Sequence, residues 1–137
     1  MGVGDTMNFE KLLSTFDMGI CADQMQREAV FDLVMLFAAI DGEVAQQEET
    51  FIANWIDESP WNSGISTGDF QVIAKSRVEK AMEEDNVEGF IKHRAEILAN
   101  TPAKDETKAL LEQLIAVDGN IHQAESQGLA YLNRILP

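Results

Sequence analysis

The chain contains little cysteine and no long apolar run, and each shortage excludes a class of protein. Cys21 is the only cysteine among 137 residues, so the chain can form neither an internal disulfide nor a metal site built from several thiolates. The longest apolar run covers eight residues, Leu33 to Ile40, far short of the roughly 18 that span a membrane. The N-terminal stretch has neither a basic leader nor an apolar core, so no secretory signal is predicted. We therefore expect a cytoplasmic protein.

Basic residues are also scarce, which argues against nucleic acid as a partner. The chain carries 10 Lys and Arg against 24 Asp and Glu, a formal net charge of −14. Phosphate backbones attract clusters of Lys and Arg, and the sequence contains none. The imbalance is concentrated in residues 1–68, which contain 12 acids and only two bases, Lys11 and Arg27. Such an acidic half can keep a protein soluble, meet a cationic partner or collect metal ions.

The remaining composition is that of one globular, helical domain. Hydrophobic residues make up 45% of the chain, and no stretch alternates between apolar and polar residues as a half-buried strand would. We predict a single all-α domain over residues 1–137, with about seven helices and no sheet. The helices are expected at about 8–16, from an N-cap at Asp23 to Ile40, at 46–58, at 69–85, from a cap at Asn86 to about 99, at about 102–117 and at 123–136.

Helical spacing also predicts which residues form the core. The second half of the helix expected over 23–40 is apolar on nearly all sides, so we expect it to be the central buried element. The other residues predicted to face inward are Phe51, Ile52, Trp55, Ile56, Phe70, Ile73, Val78, Met82, Phe90, Ile91, Ile97 and Leu98.

Two stretches of the chain are copies of each other at an offset of 77 residues. Seven residues are identical across the 24 aligned positions of 33–56 and 110–133. They are Leu33, Ala39, Asp41, Gly42, Gln46, Glu48 and Ala53, aligned with Leu110, Ala116, Asp118, Gly119, Gln123, Glu125 and Ala130. The expected start caps, Asp23 and Asn100, align as well. We predict a duplicated helical hairpin, at about 23–58 and 100–135, around a pseudo-twofold axis, with helices at about 8–16 and 69–99 on its flanks.

Each copy contains an acidic turn, Asp-Gly-x-(Val/Ile)-x-Gln-x-Glu, at the end of a predicted helix. A carboxylate in this position opposes the helix dipole, which is negative at the C-terminal end. One interpretation is capping, in which the glycine closes the first helix and Glu48 or Glu125 folds back onto the start of the next one. Asp41 and Asp118 would then accept backbone amides two residues further along the chain.

The second interpretation is a cation site formed by the same residues. Carbonyl oxygens at a helix C-terminus lack partners, and nearby carboxylates would complete a set of hard oxygen ligands suited to Ca²⁺ or Mg²⁺. The candidate metal ligands are Asp41, Glu43, Glu48, Asp118, Asn120, His122 and Glu125. The glycine follows the aspartate directly, so the turns are not EF-hand loops. Capping alone and capping combined with a weak cation site are both consistent with the sequence.

The doubled pattern Ala-x-x-Asp-Gly-x-Φ-x-x-x-Glu, in which Φ is aliphatic, resembles the TerB-like family of tellurite-resistance proteins and the N-terminal domain of DjlA-like DnaJ proteins. The residues that carry the resemblance are Ala38, Asp41, Gly42, Glu43, Val44 and Glu48, then Ile115, Asp118, Gly119, Ile121 and Glu125. The chain departs from the family pattern at Ala45, where Ser or Thr is common, and at Asn120, where an acid is common.

This resemblance implies an all-helical fold built on the internal repeat. It also implies a cytoplasmic, bacterial or phage-borne role in stress, tellurite or metal-ion handling. The divalent-cation site suspected in the family corresponds to Asp41, Glu48, Asp118 and Glu125.

The sequence favours a binding protein over an enzyme, because it contains no zinc-protease histidine spacing, phosphate-binding loop or nucleophile elbow. The first hypothesis is a non-enzymatic, stress-associated protein whose acidic turns bind divalent cations or a cationic partner. The second is an interaction module in which the turns are only caps. A helical face or the loop around Trp61 would then contact a protein partner, one that can lie near a membrane, without the chain inserting into the membrane itself.

Two further interpretations concern a hydrolytic activity and the acidic run at 79–88. A hydrolytic enzyme that uses paired carboxylates and a metal is the third hypothesis, and it requires a pocket that unites both turns. The acidic run at 79–88 is interpreted as a solvated helix end, with a docking surface as the alternative.

Overall fold

The computed structural model describes residues 23–39, 52–56, 64–116 and 123–136. Within these ranges the backbone forms six helices and no strand, which confirms the prediction of an all-α protein. The helices are α1 (Gln24–Ala39), α2 (52–56), α3 (Thr67–Glu83), α4 (Val87–Leu98), α5 (Ala103–Ala116) and α6 (Gln123–Ile135). The helix predicted at about 8–16 lies outside the described residues.

Helix α1 is the central element, because its side chains are buried on every side over most of its length. All residues from Ala29 to Phe37 are buried, and α3, α4 and α5 each pack against this helix. It begins where the sequence predicts, since the Gln26 N–H donates to Asp23 Oδ1 at 2.9 Å and Asp23 is therefore the N-cap. The prediction that this apolar helix forms the centre of the core is confirmed.

Phe31 connects α1 to two neighbouring helices through ring contacts. Its ring stacks on Trp55 of α2, with centroids 6.5 Å apart and planes inclined by 19°. It also meets the Phe70 ring of α3 at 5.5 Å and 54°. Both geometries suit the attraction between ring faces and edges. Ile52 and Ile56 are buried on α2 together with Trp55, as predicted for one face of that helix.

The set of buried residues on α3 and α4 differs in part from the prediction, mainly because it includes small side chains. The large residues predicted correctly as buried are Phe70, Val78, Phe90, Ile91 and Leu98. Three others, Ile73, Met82 and Ile97, are only partly buried. Three alanines are buried that the prediction omitted, Ala74, Ala81 and Ala95. Small side chains allow helix axes to approach closely, so the contact side of a helix is not always its most apolar side.

Helix α3 begins two residues before the predicted start at Asp69. Ser66 is the N-cap, because its Oγ accepts a hydrogen bond from the Asp69 N–H at 3.2 Å. Asp69 itself lies in the first helical turn, where its negative charge is favourable to the helix dipole. The predicted start was therefore two residues late.

Asn86 occupies the N-cap position of α4, as predicted, but its side chain makes no capping hydrogen bond. The side chain instead lies over Gly89, where an added Cβ would come within 2.4 Å of Asn86 Oδ1. Glycine at position 89 therefore makes room for the Asn86 amide.

In the described ranges, two residues other than glycine adopt positive φ, and each follows the end of a helix. Asp85, with φ 54°, follows α3. The Asn86 N–H donates to the Ala81 carbonyl at 2.8 Å, and the Asp85 N–H donates to the Met82 carbonyl at 3.2 Å. These two bonds form a Schellman motif, in which the left-handed position is most often glycine.

Asn100 ends α4 in a type II turn and is not the start cap that its alignment with Asp23 predicts. Ala99 has φ −58° and ψ 136°, Asn100 has φ 64°, and the Thr101 N–H donates to the Leu98 carbonyl at 3.2 Å. The prediction was wrong because asparagine favours both helix caps and left-handed turn positions.

We predict that Asn100→Gly raises the free energy of unfolding by about 0.5–1 kcal/mol, because glycine adopts positive φ without the steric cost that a Cβ carries. Urea denaturation of the two proteins would measure the difference. Asn133→Gly is the matched control, since Asn133 is exposed on α6 with ordinary helical φ. Glycine should lower stability there by a few tenths of a kcal/mol. A loss of stability at both positions would contradict the assignment of the turn.

Candidate functional site

The predicted metal ligands fall almost entirely outside the part of the chain that the structure describes. Asp41, Glu43, Glu48, Asp118, Asn120 and His122 are outside it, and Glu125 contributes only its backbone, within α6. Among the described residues, no group of three or more His, Cys, Asp and Glu side chains is arranged to hold a metal ion. The cation site in the acidic turns therefore stays a prediction.

A buried carboxylate in α1 is the most unusual polar group in the core. The side chain of Asp32 is only 4% exposed, although it lies between Phe31 and Leu33 in the middle of the apolar helix. Arg94 of α4 donates from Nε to Asp32 Oδ2 at 3.0 Å, and its own side chain is 13% exposed. The Arg77 guanidinium of α3 lies 4.0 Å from the same oxygen and is half exposed. Asp32 thus connects α1 to both α3 and α4.

Burial raises the pKa of the Asp32 carboxyl above its ordinary value of 3.8, because removal from water disfavours the charged form. The charge and hydrogen bond of Arg94 lower this pKa, as does the more distant charge of Arg77, but the net shift is upward. Glu28, one turn earlier on α1, raises the pKa slightly further. Asp32 Oδ1 is buried without a hydrogen-bond partner, which is consistent with the dominant effect of burial.

Arg94 is held in place by three neighbours. Besides its bond to Asp32, its guanidinium lies over the Phe90 ring at 4.0 Å, and Nη1 is 3.3 Å from Nδ1 of the exposed His93. Cation–π contact and charge pairing both favour a single orientation of the guanidinium. The arrangement is suited to fixing the position of α4 against α1.

The sequence predictions did not include the Asp32–Arg94 pair. The sequence gives one indication of this pair, a single acidic residue inside an apolar helical run. Such a residue implies a buried partner of opposite charge. The partner itself could not be found from sequence spacing, because Arg94 is 62 positions away.

A groove lies between the turn that joins α3 to α4 and the outer side of α6. It has a volume of about 910 Å³. The turn side contributes Met82, Asp85, Asn86, Val87 and Glu88, and the α6 side contributes Gln127, Gly128, Ala130, Tyr131 and Arg134. The Arg134 guanidinium lies over the Tyr131 ring, 5.3 Å from its centroid. The turn side of the groove is therefore acidic, and the α6 side carries an aromatic ring and one base.

Comparisons of the chain with protein-family models, curated proteins and solved structures find no match. The resemblance to the TerB-like family accordingly stays a prediction, as do the role and the location that it implies. None of the helices in the described ranges has both the length and the apolar content of a membrane span.

We predict that the stability of the wild type, relative to Asp32→Asn, falls as pH rises from about 4 toward neutrality. The folded pKa of Asp32 is raised, so between 3.8 and that folded value the folded state binds more protons than the unfolded state. The stability that the protonated carboxyl confers is then lost as the pH rises through this range. Urea unfolding of both proteins at a series of pH values would measure the difference.

Arg94→Gln provides the companion measurement. Without the guanidinium, the ionised Asp32 loses its partner, so the variant should be destabilised by about 3 kcal/mol at neutral pH and by less at pH 4. If the wild type instead gained stability relative to Asp32→Asn with rising pH, ion pairing rather than burial would dominate the energetics of Asp32.

Proposed function

We propose that this chain is a non-enzymatic, TerB-like helical protein in which the two acidic turns bind divalent cations, Ca²⁺ or Mg²⁺. The observation that supports the proposal best is the position of the two helices that precede the turns. The aligned residues Ala39 of α1 and Ala116 of α5, 77 positions apart, are both helical, and in the sequence an Asp-Gly pair begins two residues after each of them. The stress or tellurite-related role implied by the resemblance is part of this proposal.

The burial of aligned residues supports a duplicated hairpin around these turns. Five pairs of residues 77 positions apart are buried in both halves of the chain: Gln26 and Ala103, Val30 and Thr107, Leu33 and Leu110, Val34 and Leu111, and Trp55 and Leu132. Other aligned pairs differ, since Met35, Leu36 and Ile56 are buried whereas Glu112, Gln113 and Asn133 are exposed. A repeated pattern of buried positions is expected when two copies of one supersecondary unit share a core.

The electrostatics of α1 and α5 also favour a cation after each helix. Neither helix has a basic residue in its last turn, although its C-terminal end carries partial negative charge. Helices α3 and α6 have Lys80 and Arg134 in their last turns, but α4, which is not followed by an Asp-Gly turn, also lacks a base there. Carboxylates following α1 and α5 would therefore add negative charge to ends without a base in the last turn. Hard cations such as Ca²⁺ and Mg²⁺ prefer the oxygen ligands that such turns offer.

We predict that Ca²⁺ or Mg²⁺ at millimolar concentration raises the melting temperature above its value in EDTA by several degrees. A ligand present at 100 times its Kd and bound only to the folded state adds about 2.7 kcal/mol. The shift should disappear in Asp41→Asn/Asp118→Asn. Thermal unfolding followed by circular dichroism at constant ionic strength would measure it.

The matched control is Glu79→Gln/Glu96→Gln, which removes the same charge from exposed positions on α3 and α4. The control should keep the full cation-dependent shift. Equal shifts in all three proteins would indicate general screening of a chain with net charge −14, and the cation proposal would then be abandoned.

A second candidate function is favoured by the groove between the α3–α4 turn and α6. In this alternative the chain is a helical interaction module, and the acidic turns serve only as caps. The groove supports the alternative because it combines concave shape with partly buried apolar side chains and exposed charges. No cation dependence of stability is expected in that case.

A further inference from the structure

We propose that the groove between the α3–α4 turn and α6 binds a short basic peptide segment that carries a large apolar side chain. The segment would belong to a protein partner. This inference rests on the second candidate function, the interaction module, and it does not require cations in the acidic turns.

The floor of the groove is apolar and only partly covered by the rest of the protein. Met82, Val87 and Tyr131 line it, and each is partly buried against the core while leaving some of its surface accessible. Gly128 also lines the groove, is buried and contributes no side chain to it. An apolar side chain from a partner would cover the surface that these residues leave open, and burial of such surface is favourable.

The turn side of the groove is acidic. Asp85 and Glu88 line it with exposed side chains, and Glu83 and Glu84 are exposed immediately before them in the chain. The segment 79–88 contains five acids and one base, Lys80. The Schellman hydrogen bonds fix the backbone at Asp85, so its carboxylate is carried on an ordered turn. Cationic side chains of a partner would pair with these carboxylates at the rim.

The α6 side of the groove determines where a basic segment would place its charges. Arg134, the one base among the lining residues, lies over the Tyr131 ring and belongs to the side opposite the acids. Lys or Arg side chains of the ligand should therefore point toward the α3–α4 turn. The partly exposed Tyr131 ring and the methyl group of the exposed Ala130 would accept its apolar side chain.

Charge over the whole chain favours the same class of ligand. The net charge of −14 attracts basic segments and repels phosphate and acidic peptides at long range. A nucleic acid or a phosphorylated peptide would also meet the carboxylates of Asp85 and Glu88 in the groove. A basic, partly apolar peptide fits both the long-range field and the local contacts.

The test uses fluorescence anisotropy of a fluorescein-labelled hexapeptide, Lys-Leu-Arg-Lys-Leu-Arg, titrated with the full chain. One control peptide has serine in place of both leucines, and another has glutamate in place of all four basic residues. We expect the first control to bind about tenfold more weakly than the probe and the second to show no binding.

Two variants address the two halves of the groove, and each has a matched control. Glu88→Lys reverses a charge on the rim, and Ala130→Trp fills the space above the floor. Both should weaken probe binding about tenfold. Glu96→Lys and Ala109→Trp make the same substitutions at exposed positions that do not line the groove, and they should change binding less than about twofold. Circular dichroism establishes that each variant is folded, and either groove variant alone decides the test if the other does not fold.

The inference is overturned if the wild type does not bind the probe, or if Ala130→Trp binds it as well as the wild type does. It is also overturned if Glu88→Lys and Glu96→Lys weaken binding equally, since attraction to the total charge would then explain the data. Failure of the peptide-binding proposal can be distinguished from failure of the cation proposal. Glu88→Lys and Ala130→Trp should both retain any melting-temperature shift that Ca²⁺ or Mg²⁺ causes.

Discussion

Burial of the apolar middle of α1 is the constraint on which the rest of the described structure depends. Removing a Leu, Phe or Val side chain from water contributes roughly 1.5–3 kcal/mol, and the run from Ala29 to Phe37 is buried throughout. One neighbour covers only one side of a helix, so such a helix needs neighbours on several sides. Helices α3, α4 and α5 supply them directly, and Phe31 adds α2 through the Trp55 ring. The other helices are arranged as they are because α1 has no side that favours water.

Asp32 introduces a strong electrostatic constraint into this apolar core. A buried carboxylate is tolerated only with a partner, and Arg94 meets it from α4 while Phe90 supports the guanidinium from the same helix. Apolar contacts alone permit small slides and rotations of α4 on α1, whereas a hydrogen-bonded ion pair has one good geometry. We interpret this pair as fixing the position of α4, at the cost of an Oδ1 atom without a hydrogen bond.

Fixing α4 also positions the groove. The α3–α4 turn precedes α4 directly, and α4 packs against α6, so the acidic and aromatic sides of the groove are both set by the placement of α4. The left-handed Asp85 makes the reversal between α3 and α4 tight, so that Glu88 follows the turn within the first residues of the next helix. The surface proposed to bind a partner depends in this way on a buried pair that does not itself line the groove.

The sequence by itself determined the helical class, the existence of every described helix, the central place of α1 and the Asp23 cap. These features follow from local chemistry and from periodicity, which act over a few residues. Where two local preferences competed, the prediction was wrong, as at Asn100, which was predicted as a start cap and serves a turn. The start of α3 was predicted two residues late. The acidic repeat was found from the sequence alone, and its predicted metal ligands lie outside the described residues except for the backbone of Glu125.

Only the tertiary structure decided which residues from distant parts of the chain meet. It paired Asp32 with Arg94, chose Ala74, Ala81 and Ala95 over larger neighbours as core residues, and brought the α3–α4 turn beside α6 to form the groove. No local preference encodes these outcomes. They depend on how the helices pack around α1 as a whole, because the rotation and distance of each helix are set by all of its contacts at once.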